Sequence, residues 1–301
     1  MALTDKLTAI ANAIRAKDGT SGTMTLAEMP SKIAAIQTGI TPTGSIDITE
    51  NGMYDVTDKA SAVVNVAGSG GATEPYIEET YDGNGNLISV IFHGYTKIRN
   101  YAFFNCTSLA LTSLPSELTT IADHAFDNCT NLALTSLPSG VTSIRDSAFY
   151  KCTSLALTSL PSGLKIISNA AFYNCKNLAL TSLPSGVMSI SNAAFYGCTS
   201  LALTSLPSGV MTIGNNAFYG CTSLALTSLP SVLSEIGSSA FSNCTSLASI
   251  TFEGTPSSIA KNAFNYCTNL TTINVPWAEG EVANAPWGAT KATINYNYTG
   301  G

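Results

Sequence analysis

Residues 129–151 read CTNLALTSLPSGVTSIRDSAFYK, and residue 152 starts the same phrase again. Eight cysteines mark the period: Cys106, Cys129, Cys152, Cys175, Cys198, Cys221, Cys244 and Cys267, each 23 residues after the one before. Three further columns keep step. Ile121 to Ile259 recur at the same interval, as do Phe103 to Phe264, each after an alanine, and Leu109 to Leu270. Four columns in register over eight copies are the signature of a stacked repeat.

A 23-residue unit is too short to enclose a core, so each unit must be one coil of a solenoid that shares its core with the coils on either side. The phrase Pro138-Ser139-Gly140 and its copies end the leucine-rich run, because proline lacks the ladder donor and glycine closes a turn. An even cysteine count in a short secreted chain suggests disulfides. A constant period suggests a column instead. Stacked copies carry parallel Cβ vectors about one strand spacing apart, whereas a disulfide needs facing Cβ atoms about 3.8 Å apart. Eight buried, reduced thiols are expected. No CxxC or Cys-His cluster gathers metal ligands, so no metal or other cofactor is expected.

The unit from Cys129 to Phe149 resembles the BspA-type leucine-rich repeat, and the resemblance covers residues 87 to 276. It implies a right-handed leucine-rich solenoid with a parallel sheet on one side. Leucine-rich strands usually read L-x-x-L-x-L, as do Leu247-x-x-Ile250-x-Phe252 and Leu270-x-x-Ile273-x-Val275. The six earlier units read L-x-L-x-x-L, as in Leu109, Leu111 and Leu114, so shorter or bulged strands are expected there. The fold class expected is an α/β solenoid: a leucine-rich repeat array of 23-residue units with a parallel β-sheet, preceded by a short helical segment and a small β unit.

Composition narrows the function. Charged residues make up 11% of the 301 and hydrophobic residues 45%, with a net charge of −6. Charge is under half the usual share, yet apolar content is ordinary, which argues against disorder. No basic stripe is present to displace counterions from nucleic acid, and no apolar run is long enough to span a membrane. Met1 to Asp18 has no unbroken apolar core, so no secretory signal is expected there. An enzyme is not expected: of the two histidines, His93 and His124, neither accompanies a nucleophile turn such as G-x-S-x-G. Asp82-x-Asn84-x-Asn86 begins like a calcium loop, but Leu87 stands where glycine belongs and His93 where a bidentate glutamate belongs, which favours a plain turn. The Asn-Cys-Thr sequons at Asn105, Asn128 and Asn243 follow from the repeat columns themselves.

The ends differ from the array. Leu3, Leu7, Ile10 and Ile14, and then Leu26, Met29, Ile33 and Ile36, form two helical stripes. Each is too thin to stand alone, so residues 1–40 are expected to mediate oligomerisation or attachment. Residues 41–72 alternate as a small β unit and end in the linker Gly68-Ser69-Gly70-Gly71. Residues 73–276 form the array. Residues 277–301, with Trp277 and Trp287, read as a C-terminal cap; a sugar-stacking site is the alternative. The runs Leu7–Arg15 and Ile48–Val56 resemble modules in tail-associated structural proteins of phages infecting Gram-positive gut bacteria, and Pro276–Gly288 is similar to termini seen on such proteins.

Recognition must use positions that vary while the core columns stay fixed. The residue after each repeat phenylalanine runs Phe104, Asp127, Tyr150, Tyr173, Tyr196, Tyr219, Ser242, Asn265. The four tyrosines form a strip suited to stacking on sugars or to protein contact; alternatively, the rings only cover the solenoid edge. A second variable patch follows the isoleucine column: Asp123-His124, Arg145-Asp146, Asn169, Asn192 and Asn215-Asn216. The function expected is a phage tail or baseplate-associated virion protein, assembled in the host cytoplasm with other virion proteins, whose repeats bind a host-surface glycan or protein. The alternative is an adhesin or interaction protein on the bacterial cell surface. Neither nucleic acid nor membrane is an expected partner. The spacing of Leu3, Leu7, Ile10 and Ile14 is heptad-like and favours a homo-oligomer, most readily a trimer. Deleting residues 1–40 is therefore expected to lower the mass measured by light scattering while the array stays folded; a full-length monomer would send these faces to a different partner.

Overall fold

The computed structural model describes residues 75–300. The helical stripes of 1–40 and the small β unit of 41–72 lie outside the described residues. Among the described residues there is no helix, so this part is a β-solenoid and not the α/β array expected. The reason is local. Seven successive coils, from Tyr101 and Asn105 to Ser239 and Asn243, place two residues four apart in the left-handed region, such as Ser147 (φ 54°) and Lys151 (φ 56°), and a right-handed helix cannot run through them.

The array opens with an antiparallel hairpin, Tyr76–Tyr81 against Leu87–His93. Asp82 makes its turn. One carboxylate oxygen accepts the amides of Asn84 and Asn86 at 2.8 Å, and the other accepts the Asn86 side chain. These bonds, the Asn86 side chain first, hold the Asp82 carboxyl below its ordinary range. Leu87 and Val90 enter the core, and the Phe92 ring meets Phe103 edge-on at 5.7 Å.

Each coil then has three sides. On the isoleucine side lie two-residue parallel strands, Lys97–Ile98, Thr120–Ile121, Ser143–Ile144, Ile166–Ile167, Ser189–Ile190, Thr212–Ile213, Glu235–Ile236 and Ser258–Ile259. Isoleucine pairs with isoleucine in register, with one break, between Ser143–Ile144 and Ile166–Ile167. The leucine side carries strands only toward the C-terminus, at Ser228–Leu229, Ser249–Phe252, Thr272–Asn274 and Thr293–Asn295. In the L-x-L-x-x-L units it is held by single amides, as where Ala156 N–H donates to Leu134 O at 3.1 Å. The changed spacing brings Leu155, Leu157 and Leu160 all inward, which leaves no alternating strand.

The third side is the turn that carries Ala-Phe and Cys. Its rings stack on one another from Phe103 to Phe264, with centroids 5.1 to 5.6 Å apart and planes within 13°. Phe126 to Phe264 are fully buried, and truncating such a ring to alanine costs about 3–5 kcal/mol. All eight cysteines are free and buried. Each thiol from Cys129 to Cys267 donates to the carbonyl of the phenylalanine 26 residues earlier, at 2.9 to 3.0 Å. Cysteine suits the column because it is small, apolar and still carries a weak donor for that buried carbonyl.

A last, compressed coil closes the array. Ala289 N–H donates to Pro286 O and Ala292 N–H to Ala289 O, which repeats the bonds of Cys267 to Phe264 and Leu270 to Cys267. Small residues thus stand in the phenylalanine, cysteine and leucine columns, and Trp277 and Trp287 fill the volume. Both indoles are buried against Phe252, and Trp287 Nε1 donates to Ala283 O at 2.7 Å. Thr293–Asn295 then pairs in parallel with Thr272–Asn274.

The thiol column sets a test. Burial pushes every thiol up from the ordinary 9.0; Cys106 and Cys267, at the two ends, reach about 11. The folded chain therefore holds these protons more tightly than the unfolded chain. The thiols' contribution to stability is full below pH 9.0 and declines as pH rises above it, through about 11 for the end groups. Native protein should react slowly with a thiol reagent, Cys106 and Cys267 first, and release eight groups on denaturation. Fast native reaction at the interior cysteines, or disulfides in their place, would contradict the column.

Candidate interaction surface

The turn side carries the variable column, and its backbone is locked in an unusual way. Ser147, Phe149 and Lys151 donate their amides forward, to Asn169, Ala171 and Tyr173 of the next coil, at 2.8, 2.9 and 2.6 Å. The isoleucine side donates backward, as Arg145 N–H does to Ile121 O. One left-handed column reads Asn105, Asn128, Lys151, Asn174, Gly197, Gly220, Asn243, Tyr266, rich in the two residue types that tolerate that conformation. Between the two left-handed positions the side chain after the phenylalanine is held at the rim of the core.

The structure brings Tyr150, Tyr173, Tyr196 and Tyr219 together as one half-buried stack. Successive centroids are 4.5, 4.5 and 4.6 Å apart, with planes within 16°. Desolvation is the first cause that raises the Tyr173 and Tyr196 phenols, followed by the neighbouring tyrosines. Because the rings stack on one another, their inner faces are closed to a sugar. What the ladder presents is ring edges and a row of hydroxyls. Its two ends differ. Tyr173 covers one face of Tyr150, and Lys151 Nζ lies 5.2 Å from the Tyr150 centroid. Beyond Tyr219 the column continues as buried Ser242.

One coil before the ladder the column holds Asp127, the only buried charged side chain among the described residues. Its Oδ2 is 2.8 Å from His124 Nδ1. The His124 ring lies flat on Tyr101, centroids 4.7 Å apart and planes 5° apart, and Tyr101 meets Phe104 at 5.8 Å and 66°.

The second variable patch is a ladder of its own. Asn100, Asp123, Asp146, Asn169, Asn192 and Asn215 each offer a side-chain oxygen to the amide at the same place in the next coil, from 3.3 Å at Asp123 to 2.7 Å at Ser238. Sequence reasoning saw variation here; the residues alternate only between Asn and Asp because both carry that acceptor. Where the isoleucine sheet breaks, Ser168 Oγ donates to Ile144 O at 2.8 Å, and a shallow groove of about 380 Å³ opens, edged by Arg145 and Lys165. The exposed side chains Ile166, Met188, Met211 and Val232 follow in the next coils. Among the described residues no group of three or more His, Cys, Asp or Glu could hold a metal ion. The helix-face residues Leu3, Leu7, Ile10 and Ile14 lie outside the described residues.

The profile of the BspA type leucine rich repeat region matches residues 77–202 and 188–284, with six copies. Among solved structures the chain is similar to a leucine-rich repeat protein of T. pallidum, at 30% identity and a TM-score of 0.45, over 57% of this chain and 87% of that one. It is similar to a leucine-rich repeat protein of Bacteroides ovatus at 19% identity and a TM-score of 0.45, over 73% of this chain and 75% of that one. A leucine rich cell surface protein of Faecalibacterium prausnitzii matches at 28% identity and a TM-score of 0.45, over 68% of this chain and 64% of that one. Comparison with curated proteins gives no match.

The Asn ladder sets a second test of the frame. Asn192→Ala removes the acceptor that Asn215 N–H reaches at 2.8 Å and should lower the unfolding free energy by about 1 kcal/mol in a urea titration, while Asn192→Asp should keep most of it. Equal midpoints for Asn192→Ala and the parent would mean that water serves that amide as well.

Proposed function

The chain belongs to the BspA-type leucine-rich repeat family, and from that membership we propose that its array is an interaction module that binds a macromolecular partner through the turn side. The observation that carries this reading is the contrast within one turn. Phenylalanine, cysteine and leucine columns hardly change, while the residue beside each phenylalanine runs from Phe104 through Asp127 and four tyrosines to Asn265. A column that accepts Tyr, Ser, Asn and Asp alike is not fixed by the core, so its choice is free to serve a partner. Tyrosine edges and hydroxyls at one rung per coil suit an extended ligand, a protein surface or a glycan, contacted at several rungs at once.

For its setting we propose a bacterial cell surface in preference to a virion. The family match rests on the repeats themselves. The virion reading rests on short end segments: the N-terminal ones lie outside the described residues, and Pro276–Gly288 is taken up by the closing coil.

The ladder is tested by Tyr173→Ala combined with Tyr196→Ala. Labelled full-length protein should bind bacterial envelopes several-fold less in the variant, with a small loss of melting temperature, since each stacked pair is worth about 0.5–1.5 kcal/mol beyond its burial. A large stability loss with unchanged envelope binding would make the ladder packing alone.

A further inference from the structure

We propose that the N-terminal end of the turn side is a binding site for a neutral saccharide ring, formed by Tyr101, Phe104, His124, Asp127 and Lys151. The site lies outside the tyrosine ladder and does not depend on the ladder's own role.

Asp127 is the odd residue of its column. It occupies the column in which the next four coils carry a ring, so the stack stops there: Tyr150 keeps one face toward Asp127 with no ring against it, and Phe104 stands one coil on the other side. Asp127 is 8% exposed, and burying a carboxylate is costly unless it is paired. The fold does not require it, because tyrosine, serine and asparagine serve at the same place in other coils. Its partner His124 is itself fixed, flat against Tyr101. A carboxylate oxygen, an imidazole and two rings are thus held in a rigid group at the protein surface.

Tyr101 and Phe104 are 48% and 44% exposed, and their rings meet at 66°, so they form an open aromatic corner beside that carboxylate. Such a corner accepts the C–H face of a pyranose, while Asp127 accepts a hydroxyl hydrogen. Charge decides the ligand class. Lys151 Nζ lies 5.2 Å from the centroid of Tyr150, the ring one coil beyond Asp127, so a ligand cation meets an ammonium, and a ligand anion meets the Asp127 carboxylate. A neutral polyol uses both, donating to one and accepting from the other. Inside the ladder the rings close one another's inner faces, so a flat ligand finds more open ring surface at this corner than between the tyrosines.

The test is calorimetric titration of the full chain with maltotriose, cellotriose and chitotriose, with sodium glucuronate and tetramethylammonium chloride as charged probes. At least one neutral trisaccharide should bind, and Asp127→Asn and Phe104→Ala should each weaken it by about tenfold or more. Tyr196→Ala, inside the ladder, should leave that affinity unchanged, which separates this site from the ladder. Asparagine already stands in the same column at Asn265, so Asp127→Asn should melt with the parent; Phe104→Ala alters an exposed ring and serves as the second variant. The proposal is overturned if no neutral trisaccharide binds, if Asp127→Asn binds like the parent, or if either charged probe binds more tightly than every neutral one.

Discussion

The structure depends on the two-way bonding of each coil. Amides on the turn side donate forward and amides on the isoleucine and leucine sides donate backward, so a coil has its backbone satisfied only when it has a neighbour on each side. The pairing holds at one register because the left-handed positions, such as Ser147 and Lys151, fix which amides face forward. Phenylalanine stacking and the thiol-to-carbonyl bonds then follow, since both join the same positions of successive coils. A coil shifted by one residue would lose all three sets together, which is why four sequence columns keep an unvarying interval.

Much of this was legible in the sequence. A fixed period is a statement about stacking, and it places Phe149, Cys152 and Leu155 in the core without any structure. Where the strands fall was not legible. The leucine run looks like the strand, yet the regular parallel pairs form at the isoleucine column, because Leu155, Leu157 and Leu160 all turn inward and leave no alternation to pair. Residues 277–301 read as a cap and not as a further coil, because the columns there hold Pro286, Ala289 and Ala292. One signal was available: Trp287 lies one period after Phe264.

The surface was legible only as variation. The column beside the phenylalanines stands out by its changes, but sequence cannot say whether neighbouring rings lie apart or stack. At 4.5 Å they stack, which turns a strip of ring faces into a strip of edges and hydroxyls. The Asp and Asn residues of the second patch look like solvated turn residues until their oxygens are seen to meet the next coil's amides. The pairing of Asp127 with His124 joins two neighbours in the chain, yet its meaning comes from Tyr101 and Phe104 of the preceding coil.

The repeated coil also bears on heredity. Because most interior coils share the forward bonds of the turn side, a 23-residue unit removed or added leaves that bonding pattern to re-form at the new junction. Rung number can therefore change by whole units while the backbone frame of the turn side is kept. The tyrosine stack would lengthen or shorten with it, while the aromatic corner at the start and the indoles at the end, each present once, would stay. Array length is therefore a trait on which selection can act in single steps, independently of point mutation.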